Sequence, residues 1–153
     1  AAVMAQQGKD PAEICRTLEM TASKVEASFV IDRLDYLHKG GRCSGLDATG
    51  ARILNIKPCI EVVNGKMKVG KKYRGSFDHC LENYVKDRLS ERTDIDYSRL
   101  FITHPACAEN TVAKVKELVN QYADFEEIIE TRAGCTVSSH CGPNTLGILF
   151  KRC

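Results

Sequence analysis

The stretch CIEVVNGKMKVGKKY, residues 59–73, decides the fold. Two runs rich in β-favouring residues flank Asn64-Gly65, the dipeptide a two-residue type I′ turn selects because both of its central positions need positive φ. The stretch reads as an antiparallel hairpin, so the chain builds a sheet. Downstream, Ser76 stands as an N-cap before a helix in which Phe77, Cys80, Leu81, Tyr84, Val85 and Leu89 recur on one face. RLFITH (99–104) is predicted as a strand, and residues 111–122 as a helix with Val112, Val115, Leu118 and Val119 inward. FEEIIE (125–130), CTVSS (135–139) and LGILFK (146–151) read as further strands.

Upstream of the hairpin, Asp10-Pro11 is an N-cap followed by proline at the first helical position. Ile14, Leu18, Thr21 and Val25 continue a helical stripe to about residue 26. SFVI (28–31) is a short strand. Asp32 is predicted to cap a brief helix over 33–38, which Gly40-Gly41 ends, and residues 46–55 are weakly helical. Hairpins and single helices in this order predict an α/β domain: a mixed sheet with helices on one face.

Composition narrows the function. A chain of 153 residues with 43% hydrophobic and 27% charged residues makes one globular domain with its own core. Its apolar runs are far too short to span a bilayer as a helix. A net charge of +2, with no long Lys/Arg stripe or interleaved aromatics, argues against nucleic acid as the main partner. The eight cysteines are scattered, without a CxxC pair or a secretory leader, which predicts free thiols in a reducing cytoplasm.

TVSSHCGPNTLGILF (136–150) carries the chemistry. Read as strand, polar turn and strand, it holds Ser138, Ser139 and His140 at a junction where a fold fixes side chains rigidly. A histidine there can donate to an anionic head group, act as acid or base, or bind metal. The competing reading is a Gly142-Pro143 turn whose polar side chains bond their own backbone. Two basic groups stand elsewhere. Gly40-Gly41 projects Lys39 and Arg42 from one loop, and Arg74 ends the hairpin beside Lys71 and Lys72. Cys135, His140 and Cys141, with His104 or Cys107, match no common zinc spacing, and no metal is predicted. Neither a GxSxG elbow nor a nucleotide-binding loop is present.

FVIDRLDYLHKGGRCSG (29–45), ARILNIKPCIEVVNGKM (51–67), KKYRGSF (71–77) and SSHCGPNTLGI (138–148), in this order, resemble the C-terminal domain of the DegV family. The resemblance implies a two-layer α/β domain with a mixed sheet of about six strands, preceded in the whole protein by another α/β domain. It also implies that residues 1–27 are the helical tail of that missing domain or a linker, and that 28–153 form the DegV-like domain. The implied function is non-enzymatic: binding a long-chain fatty acid, without a cofactor, and presenting its carboxylate to a separate fatty acid kinase subunit for phosphorylation to acyl phosphate. His140 and Ser139 align with the head-group turn, and Arg74 and Arg42 with arginines linked to the acyl phosphate or the kinase contact. Cys141 and Asn144 depart from the family's threonine and glycine in that turn, as does Ser76 from a basic residue near the second arginine. Two other readings compete: a small hydrolase or transferase using His140 with a neighbouring serine, and a ligand-free regulatory interaction domain.

Overall fold

The computed structural model describes residues 1–41 and 56–153. In chain order its first elements are α1 (Ala2–Gln6), α2 (Pro11–Ala22), β1 (Val25–Ile31), α3 (Asp35–Lys39), β2 (Ile56–Val63) and β3 (Lys66–Arg74). There follow α4 (Phe77–Leu89), β4 (Ile95–His104), α5 (Glu109–Tyr122), β5 (Ile128–Arg132), α6 (Cys135–Cys141) and β6 (Thr145–Arg152). The strands form one six-stranded sheet in the order β3-β2-β1-β6-β4-β5. β4 and β5 run parallel; every other neighbouring pair is antiparallel. The sheet is mixed, as the order of elements predicts.

Local chemistry sets several boundaries. Asn64 and Gly65 adopt φ of 52° and 72°, the left-handed pair a type I′ hairpin requires. The Asp10 side chain accepts from Ala12 N at 2.8 Å to start α2, and Ser76 Oγ accepts from His79 N at 3.3 Å to start α4. Helix α2 stops at Ala22, and Val25 opens β1 instead of prolonging the stripe. The short helix begins at Asp35, not after Asp32, because the Asp32 carboxylate is held by Lys57 Nζ at 2.6 Å. The weakly helical stretch 46–55 lies outside the described residues.

The largest departure is CTVSS. Residues 135–139 are not a strand but most of α6. The β-branched pair Thr136-Val137 is overridden by tertiary placement, since Val137 and Cys141, four residues apart, face the sheet together. Helical bonds from Ser138 N to Gly134 O and from Gly142 N to Ser138 O close the turns, each at 2.9 Å. Gly142, at φ 75° and ψ 177°, then breaks the helix.

Side chains alternate across the sheet. On one face Val30, Cys59, Leu100, Ile102, Leu146 and Ile148 pack under α4 and α5 in the main core. At its centre the fully buried Tyr84 hydroxyl donates to Ser28 O at 2.8 Å. It also accepts from Ser28 Oγ at 2.8 Å and from Ile148 N at 3.0 Å. On the opposite face Ile31, Ile60, Phe29 and Val69 meet Leu34 and Leu37 of the α3 segment. Of the other described helices, α6 borders that face through Val137 and Cys141, and the end of α2 approaches it at Ala22 near Ala27 and Val62. By contrast, α1 and α2 bury no residue.

Cys15, Cys59, Cys80, Cys107, Cys135, Cys141 and Cys153 are all free; Cys43 lies outside the described residues. Burial pushes the Cys59 thiol up to about 12 and Cys107 up to about 11, and raises Cys80 and Cys141 in the same direction. At mildly alkaline pH a thiol-reactive dye should label the exposed Cys15, Cys135 and Cys153 rapidly. Cys59, Cys80, Cys107 and Cys141 should react only on unfolding. Immediate labelling of all of them would contradict this packing.

Candidate functional site

The register gathers one end of every strand on a single rim. Ile31 at the end of β1 pairs with Thr145 at the start of β6, and Arg74 at the end of β3 pairs with Ile56 at the start of β2. His104 and Arg132, the last residues of β4 and β5, pair at the same end. Helices α3 and α6 sit on this rim in contact with each other.

Two glycines make that contact close. A Cβ at Gly40, which caps α3, would fall 2.9 Å from Cε1 of His140. One at Gly142, after α6, would fall 2.6 Å from Cγ of Tyr36. A Cβ at either position would force the facing ring to move, so the His140 imidazole lies on Gly40 and the Tyr36 ring on Gly142. His140 is thereby fixed, half-buried, at the α3–α6 seam.

Beneath α6, on the second face of the sheet, lies a cavity of about 270 Å³. Its floor includes Ala27, Phe29, Gly147 and Leu149, and Val137 and Cys141 of α6 form a wall. The lining is almost wholly apolar. The lining hydroxyls at this end are occupied: Thr145 Oγ1 donates to Cys141 O at 3.0 Å, and Thr103 Oγ1 pairs with Thr131 Oγ1 at 2.7 Å. The buried His104 accepts from Cys107 N at Nδ1 and so donates from Nε2 to Glu130 at 3.1 Å. Glu130 is held below the usual carboxylate range by Lys116 first and then His104.

The predicted residues divide. His140 is on the rim, although on a helix rather than an extended turn. Ser139 Oγ is exposed and donates to Thr136 O at 2.9 Å, and Ser138 Oγ donates to Ala133 O at 3.0 Å. Both hydroxyls bond their own backbone, as the capping reading anticipates. Arg74 is exposed on the same rim, but β3 and β6 stand three places apart in the sheet, about 14 Å. Arg42 lies outside the described residues. Sequence reasoning missed Tyr36, Phe29 and Gly147. For α6 the i,i+4 pair Val137 and Cys141 was the available signal; for the others only the register reveals the role. Among the described residues no three His, Cys, Asp or Glu side chains group to hold a metal, and no helix is long and apolar enough to cross a membrane.

Comparison with known proteins agrees with this architecture. The family model described as "Uncharacterised protein, DegV family" matches residues 1–152. A DegV domain-containing protein of Caldanaerobacter subterraneus subsp. tengcongensis is 30% identical over 99% of this chain and 53% of its own length. Among solved structures, a Thermotoga maritima protein with a fatty acid binding function is 25% identical. It has a TM-score of 0.77 and covers 98% of this chain and 51% of that one. The fatty acid kinase B3 protein of Streptococcus pneumoniae, loaded with linoleic acid, has a TM-score of 0.82 at 19% identity, over 97% of this chain and 52% of that one. The chain spans about half the length of the curated relatives it matches. With a family model matched almost from end to end and the sheet to go with it, this chain belongs to the DegV family.

Proposed function

We propose that this domain forms one wall of a long-chain fatty acid site and presents the carboxylate at the rim to a partner kinase. The observation that carries the reading is the apolar cavity on the second sheet face, roofed at the rim by α6. Its volume of about 270 Å³ falls just under the ~300–1,000 Å³ of complete small-molecule pockets. A second α/β domain, preceding this one in the whole protein, supplies the opposing wall. The fatty acid binding function of the Thermotoga maritima protein supports the ligand class. Transfer to a kinase draws support from the likeness to the fatty acid kinase B3 protein of Streptococcus pneumoniae.

His140 is the head-group donor. Seated on Gly40, its imidazole keeps one orientation, and a buried carboxylate needs such a donor to offset its lost hydration. Ser139 joins only after its hydroxyl leaves Thr136 O. Arg74 and Arg42 meet the acyl phosphate or the kinase, a role that suits the planar guanidinium. A cytoplasmic location accords with the scattered spacing of the eight cysteines in the sequence. The hydrolase reading loses ground on one observation: both serine hydroxyls donate to backbone carbonyls, and neither is paired with His140 as an activated nucleophile would be.

The test uses the whole two-domain protein. Native mass spectrometry should show a co-purified fatty acid. His140→Ala should weaken retention by about 1.5–3 kcal/mol, roughly ten- to a hundredfold. Arg74→Ala should leave lipid content unchanged while slowing phosphorylation by the kinase, more so in added salt. Full lipid affinity in the His140 variant, or normal phosphorylation of the Arg74 variant, would refute the corresponding role.

A further inference from the structure

On the second face of the sheet, large and small side chains alternate between β1 and β6. Ala27 on β1 stands opposite Leu149 on β6, and two residues along Phe29 stands opposite Gly147. The two small residues are therefore diagonal neighbours, and the two large ones flank the diagonal. All four line the cavity, which ends at Val62 beside Ala27. The result is a trough that starts under α6 near Thr145, crosses the bare backbone of Gly147 between Phe29 and Leu149, and leaves over Ala27. From Thr145 to Leu149 it advances about 13 Å along the strand.

The two small positions are not equivalent. A Cβ at 147 would lie 2.5 Å from Ser28 O and 2.8 Å from Cβ of Phe29, so backbone geometry already requires glycine there. Ala27 is under no such constraint. It is half-buried and points away from the core beneath α4 and α5. A larger residue there would fill the far end of the trough without touching that core.

We infer that Ala27 and Phe29 are specificity-determining residues that set the length and shape of the acyl chain this domain accepts. The inference rests on the fatty acid reading above. With the carboxylate at the rim, the methyl end of the chain runs along the diagonal. Ala27 leaves its exit open, and Phe29 sets its width over Gly147.

The test is competitive loading of the two-domain protein with an equimolar mixture of lauric, myristic, palmitic, stearic and oleic acids, read by mass spectrometry of the bound lipid. Ala27→Phe should shift the bound population toward shorter chains, by about fourfold for each methylene denied its place. Phe29→Ala should shift it toward longer or bent chains. Thermal melts identify a misfolded variant, and Ala27→Leu replaces Ala27→Phe if the latter does not fold. If the wild-type protein takes up lipid and folded variants at both positions keep its chain profile, the inference is wrong while fatty acid binding stands. If the wild-type protein takes up none of the five acids, the fatty acid reading itself fails and the inference falls with it.

Discussion

Gly142→Ala is expected to lower the melting temperature by about 10 °C and to loosen the proposed ligand site at the same time. Two independent penalties act at this residue. Its φ of 75° with ψ of 177° lies in a region open almost only to glycine, where a side chain costs about 1–3 kcal/mol. The new Cβ also lands 2.6 Å from Cγ of Tyr36, and overpacking of that kind costs about 1–3 kcal/mol more. The strain has one outlet, the α3–α6 seam, because the β6 side is anchored by the buried Thr145 and Leu146. Opening the seam lifts His140 from Gly40, so if His140 holds the head group as proposed, lipid retention falls together with stability. The double variant Tyr36→Ala, Gly142→Ala separates the penalties: it should recover the overpacking part and keep the backbone part. A single variant that melts with the wild-type protein would mean that the seam is not close-packed.

Tyr84→Phe should destabilise the domain by about 3 kcal/mol, again near 10 °C, without affecting the ligand directly. Phenylalanine fills the same apolar space, so the change isolates one hydroxyl. That hydroxyl is saturated, giving its proton to Ser28 O and receiving from Ser28 Oγ and Ile148 N. Its removal orphans three polar groups between β1 and β6 where water does not reach, at about 1–3 kcal/mol apiece, partly relieved by rearrangement. Denaturant unfolding should show a lower midpoint with an unchanged slope. A shift below about 0.5 kcal/mol would show that the strands re-pair without the hydroxyl.

What the sequence revealed was whatever local chemistry determines. The Asn64-Gly65 turn, the Asp10 and Ser76 caps and the one-sided apolar face of α4 follow from neighbours a few residues apart, and all are present. The segment 135–139 failed because Thr136-Val137 favours a strand, whereas the decisive contact is α6 lying across the sheet, a long-range effect. The Phe29–Gly147 pair was illegible for the same reason, since register joins residues from opposite ends of the chain. His140 stood out at the Gly142-Pro143 junction, resemblance gave it a head-group role, and its rim position follows from register, but its hold on Gly40 needed the fold. Arg42 lies beyond what the structure describes. Composition alone carried no hint of a lipid; that reading came from motifs in order.

The outermost strands of this sheet have a consequence for behaviour in concentrated solution. A strand with one unpaired side offers its free amides and carbonyls to any other chain, the first step toward intermolecular β-assembly. Here, among the described residues, one outer strand is β3, which carries Lys66, Lys68, Lys71, Lys72 and Arg74 in nine residues. The other, β5, has only five residues, with Glu130 and Arg132 among them. Two molecules approaching through β3 bring like charges together before a single backbone bond forms. Two approaching through β5 find too short a ladder to hold. A domain that keeps an apolar trough open on its face is thus guarded along its margins, where self-association would otherwise begin.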